Sequence, residues 1–137
     1  MAKRRKVWMY SPPRPPKLRA PPAVQVEVQT KANELVENVL KPQFVVPPTD
    51  DVSWNYIVDI FTRWYRIYFY FCATYRCPAP NCLSEFFEVR FARLEYAGDA
   101  QFNLAYMRHT GQWWELYTQL PLDSCLLKIK NEPHFQP

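Results

Sequence analysis

The segment WNYIVDIFTRWYRIYFYF, residues 54–71, limits the folds open to this 137-residue chain more than any other. Fourteen of its eighteen residues are β-branched or aromatic, the side chains that suit a pleated, half-buried surface. A membrane helix is excluded. The window from Trp54 to Ala73 contains Asn55, Asp59, Arg63 and Arg66, and each charge near the centre of a bilayer costs about 2.5 to 3.5 kcal/mol. Positions 55, 59, 62, 63 and 66 share one helical face, so a long amphipathic helix is the alternative reading. The β-forming composition favours two antiparallel strands, 55–62 and 66–75, turning near Arg63 and Trp64.

What precedes this hairpin divides into an arm and a helix. Residues 1–22 carry seven Lys and Arg, no acid and six of the fourteen prolines. Proline fixes φ and lacks an amide donor, so the stretch is expected to be a disordered basic arm, with residues 23–137 forming a single domain. Lys3, Arg4, Arg5, Lys6, Arg14, Lys17 and Arg19 are its candidate binding residues, for phosphates or for an acidic protein surface. The basic cluster runs into VWMYSPPRPP rather than an apolar segment, so a secretory leader is not expected and a cytoplasmic location is. The remaining residues hold ten basic and thirteen acidic groups, so the body is slightly acidic. Val28, Ala32, Leu35, Val36 and Val39 recur at spacings of three and four and predict a helix over 23–40, which Pro42 is expected to stop.

Cys72, Cys77, Cys82 and Cys125 do not form a zinc pattern, because four residues separate each of the first three and the fourth is remote. The compartment argues against a disulfide. The expectation is small buried hydrophobes and loop thiols, with no metal and no cofactor.

After Phe86 the pattern is strand-like. FFEVRFARLEY places Phe87, Val89 and Phe91 in one phase and Leu94 and Tyr96 in the other, which predicts a bulge near Ala92. QFNLAYMRH and QWWELYTQL flank Thr110-Gly111. A two-residue turn there sets His109 opposite Gln112, Arg108 opposite Trp113 and Tyr106 opposite Glu115. One face then shows Phe102, Leu104, Tyr106, Trp113 and Tyr117; the other shows Ala105, Met107, Trp114 and Leu116. The second face, with Met107 and Trp114, is expected to be capped by more of the chain or offered to a partner, a second copy included. Leu122, Cys125, Leu126 and Ile129 predict a short helix that Pro133 ends, with His134 in a frayed terminus.

FARLEYAGDAQFNLAYMRHTGQWWELYTQLPLDSCLLKIKNEP resembles the C-terminal part of domain-of-unknown-function family 3024, a family of small bacterial proteins. Phe102, Leu104 and Tyr106 stand for its first aromatic strand, Trp113 and Tyr117 for its second, and Leu122, Leu126 and Pro133 for its helix. Trp114 stands where the family pattern has His, and the ending PHFQP departs from its finish. The resemblance implies an antiparallel meander followed by a helix, and no catalytic residue.

The fold expected is therefore α+β: an N-terminal helix, an antiparallel meander sheet of about five strands, and a C-terminal helix. With two glycines, both at turns, no phosphate-cradling loop can be built. His109 with a carboxylate is the only enzyme reading, and a non-catalytic binding or accessory module that meets nucleic acid through its arm is preferred. The alternative is a protein-interaction or dimerisation module that uses an apolar sheet face.

Overall fold

The computed structural model describes residues 17–137. The aromatic segment forms the hairpin that its composition demands, strand β1 (Tyr56–Tyr65) running into β2 (Tyr68–Arg76). The turn lies at Arg66, which takes a positive φ of 56°, and not at Arg63 and Trp64, so both residues stay within β1. β3 (Phe86–Gly98), β4 (Gln101–Met107) and β5 (Trp113–Pro121) follow, each antiparallel to its predecessor in a five-stranded meander. The expected bulge is present: Phe71 pairs with Ala92 and Cys72 with Arg90, which leaves Phe91 as the extra residue. Phe91 and Ala92 are consequently both buried in the core.

Helices cover one face of the sheet. Pro22 sits in the first turn of α1 (Pro22–Leu35), where a missing amide costs nothing. The helix does not stop at Pro42. It widens into a π turn over Val36–Leu40, where the amide of Lys41 bonds the carbonyl of Val36, and continues as α2 (Lys41–Phe44). The wider turn relieves the clash between a proline ring and the carbonyl four residues back that an ordinary helix would impose. Val28, Ala32, Val36 and Leu40 form its buried stripe. α3 (Leu122–Asn131) adds Leu122, Cys125 and Ile129. Against them the strands present Ile57, Ile60, Phe69, Phe71, Ala73, Leu94, Phe102 and Leu104. The Trp64 indole donates to the carbonyl of Gln25 at 3.2 Å, and the Thr62 hydroxyl donates to Asn33 at 2.6 Å.

The hairpin of β4 and β5 differs from the expected register by one residue. Met107 pairs with Trp113, Tyr106 with Trp114 and Ala105 with Glu115. The amide of Arg108 bonds the carbonyl of Gln112, so the loop is the three residues 109, 110 and 111, with Gly111 at φ 82°. Because side chains alternate, this slip exchanges the faces of Trp113 and Trp114.

The two ends of the domain are also tied down. Phe135, in the 3-10 turn Pro133–Phe135, is fully buried, and His134 lies 5.0 Å from the Tyr106 ring, so the terminus is docked and not frayed. Of the stretch read as a disordered arm, residues 1–16 lie outside the described residues. Its last part belongs to the body: Ala20 is buried, Leu18 packs on Gly98, and Pro22 is helical. Cys77 and Cys82, expected as free thiols, are joined in a disulfide across the CPAPNC turn, with Cα atoms 6.3 Å apart, a span that a disulfide readily bridges. Cys72 and Cys125 are free and buried.

Candidate functional site

Among the described residues no helix covers the second face of the sheet, yet that face is not simply apolar. In β2, Tyr68, Tyr70 and Cys72 alternate with the core residues Phe69, Phe71 and Ala73 and point away from the helices. Their cross-strand partners are Tyr65, Arg63 and Phe61 on β1, and Glu95, Arg93 and Arg90 on β3. Tyr70 and Cys72 are only 6% and 1% exposed. What closes over them is a layer of long cationic and aromatic side chains.

The layer has a regular construction. The Arg90 guanidinium lies 4.4 Å from the Tyr70 ring centre and 5.5 Å from that of Tyr65. Arg93 lies 4.3 Å from Tyr68 and 5.0 Å from Trp113. Arg66, at the hairpin turn, lies 5.4 Å from Tyr65. Trp113 of β5 lies 5.7 Å from Tyr70 of β2, with the small outward residue Ala105 of β4 and Arg93 of β3 between their strands. Flat guanidinium groups stack on aromatic faces while keeping their edges free to donate hydrogen bonds.

The charges of this face do not cancel. Arg63 pairs with Glu88 at 3.6 Å, and Lys17 with Glu95 at 3.5 Å. Lys17 also donates to the Tyr68 hydroxyl, and that bond chiefly raises the pKa of its amine. Glu95 accepts a further bond from Asn103 at 3.1 Å. Arg66, Arg90 and Arg93, by contrast, have no carboxylate within ion-pair distance among the described residues. Burial pushes the Cys72 thiol up, and the nearby charges of Arg63 and Arg90 partly oppose that shift.

Of the residues singled out in the sequence, Lys3, Arg4, Arg5, Lys6 and Arg14 lie outside the described residues. Lys17 joins the outer face, and Arg19 is exposed beside it in the chain. Met107 lies on the outer face next to Trp113, whereas Trp114 lies on the helix side, half exposed under Arg108 at 4.8 Å. Met107 and Trp114 therefore do not form one surface. His109 is exposed in its loop and makes no hydrogen bond or ion pair among the described residues. Arg66, Arg90, Arg93, Tyr65, Tyr68, Tyr70 and Trp113 were not anticipated as a group. The available signal was the polar phase of β3, in which Glu88, Arg90, Arg93 and Glu95 occupy the positions that the core residues leave.

Two other surface features stand apart from this face. Between α1 and α3, Lys31 pairs with Glu27 at 3.4 Å and with Asp123 at 3.1 Å, tying the two helices together. Beside the disulfide, a small cleft is lined by Cys82, Leu83 and Phe87, with Leu83 wholly exposed. Among the described residues no three His, Cys, Asp or Glu side chains converge as metal ligands, and no helix is long and apolar enough to cross a membrane.

A meander sheet backed by helices on one side, with a cationic and aromatic layer on the other, defines the kind of domain this is. The chain belongs to the family Domain of unknown function (DUF3024), whose model matches residues 18–137. Membership thus takes in the first helix and the aromatic hairpin, beyond the C-terminal part that carries the resemblance in sequence. Among curated proteins and solved structures, none matches the chain.

Proposed function

We propose that this DUF3024 protein is a non-catalytic accessory module that binds nucleic acid through the outer face of its sheet, assisted by its basic N-terminal stretch. The observation that supports this reading most is the trio Arg66, Arg90 and Arg93: guanidinium groups 4.3 to 5.4 Å from ring centres, on a face where, among the described residues, no helix covers them and no carboxylate pairs with them. Phosphate is the complementary ligand, because a guanidinium edge offers it paired donors. Five further basic residues lie in residues 1–16, a stretch without acids. We place this activity in the cytoplasm. The site draws nothing from Cys77 or Cys82, the pair that a reducing compartment would open.

The test is a salt titration of binding to labelled nucleic acid, comparing the full chain with the double variant Arg90→Gln, Arg93→Gln. The slope of log K against log salt is expected to shrink by about 0.7 to 0.9 for every phosphate that the variant no longer neutralises. An unchanged slope and affinity in a folded double variant would remove the sheet face from the site. Absence of binding by the full chain at about 50 mM salt, where phosphate contacts are strong, would end the nucleic-acid reading.

A further inference from the structure

We infer that the outer face takes unpaired nucleic acid and discriminates against duplex, an inference that rests on the nucleic-acid reading above. Its first support is where the rings and guanidinium planes sit. Tyr65, Tyr70, Arg90, Arg93 and Trp113 come from β1, β2, β3 and β5 and draw together over a five-stranded sheet whose backbone is about 19 Å wide at ordinary strand spacing. Reading a duplex major groove takes a projecting helix or two-stranded ribbon, and a broad sheet face is neither. A duplex laid on it would offer phosphates alone and leave the rings unused. A single strand can splay its bases, which stack on aromatic and guanidinium planes of this kind.

The second support is the mixture of signs. Glu88, Glu95 and Glu115 share the face with the cations. Duplex DNA carries one charge per about 1.7 Å of axis, twice the density of a single strand, so interspersed carboxylates penalise it more. Tyr65, 46% exposed beside Arg66, and the half-buried Trp113 mark the two ends of the path, with Arg93 between. On sheet faces of this width about two or three bases stack. Bases are thereby assigned to Tyr65 and Trp113, and phosphates to Arg66, Arg90 and Arg93.

The experiment measures anisotropy of fluorescein-labelled oligonucleotides of about 16 residues, a length that fills a typical single-strand site, against the full chain. Oligo-dT, oligo-U and a duplex of equal length are the three ligands. Single strands are expected to bind at least tenfold more tightly than duplex, and Trp113→Ala to weaken single-strand binding by about tenfold or more while leaving duplex binding unchanged. Trp113→Phe, which keeps a ring, should restore most of the loss. Should Trp113→Ala fail to fold, Tyr65→Ala at the exposed end of the path carries the same expectation. Duplex binding as tight as single-strand binding would overturn this inference and leave the broader reading standing. Binding to none of the three would overturn both.

Discussion

Strand β2 has two faces, and both are buried, but by different means. Phe69, Phe71 and Ala73 are covered by helices α1 and α3 and by aliphatic neighbours from the other strands. Tyr70 and Cys72, pointing the opposite way, are covered by Arg90, Arg63, Trp113 and Tyr65, side chains of the sheet itself. Apolar area removed from water stabilises the first face. The second relies on weaker contacts between cations and rings, each worth about 0.5 to 1 kcal/mol where exposed. A sheet face without a helical layer among the described residues can therefore still exclude water, and arginine does so while retaining its charge.

The difference is sharpest in mutation. Phe71→Ala, on the helix side, is expected to cost about 3 to 5 kcal/mol in denaturant unfolding, as deletion of a large core ring does. Arg90→Gln, on the other face of the sheet, should cost about 1 kcal/mol and show its main effect on binding. A larger stability loss for Arg90→Gln would make the outer layer a structural lid and not a binding face.

The two free cysteines extend the comparison to pH. Cys125 lies under the helix side, where burial pushes its thiol up to about 12 from an ordinary 9.0. The folded state holds a proton that the unfolded chain releases above about 9, so this contribution to stability is intact below pH 9. It is then lost as pH rises towards 12, by at most about 1.4 kcal/mol per pH unit. Cys72 is raised as well, but Arg63 and Arg90 oppose the shift, so its share of the alkaline loss is expected to be smaller. Urea midpoints at pH 8 and pH 10.5, a range that brackets the ordinary thiol value, should show Cys125→Ala flattening the pH dependence more than Cys72→Ala does. The reverse order would mean that the outer face is the drier one.

Much of the helix side was legible in the sequence because it is written in local periods. The stripe from Val28 to Val39, the β-branched and aromatic residues of the hairpin and the phase change at Ala92 each declare an element within a few residues. The helix end was not legible, since Pro42 is accommodated by a π turn that no local pattern announces. The faces of Trp113 and Trp114 turned on one residue of loop length, and Thr110-Gly111 suits a two-residue turn as well as a three-residue one. The outer face was hidden for a different reason. Arg90 and Arg93 read as solvated positions of a half-buried strand, and the rings they rest on, Tyr65 and Trp113, are brought to them only by the order of the meander.

The most direct test uses the tryptophans, because Trp113 lies on the outer face, Trp64 and Trp114 on the helix side, and Trp54 ahead of β1. Indole N–H resonances of the full chain, recorded as oligo-dT is added, report each ring separately. Trp113 is expected to shift with added ligand, while Trp114 and Trp64 on the helix side, and Trp54 before β1, stay in place. A shift of Trp114 or Trp54 with Trp113 unmoved would contradict the division of the sheet into a folding face and a binding face.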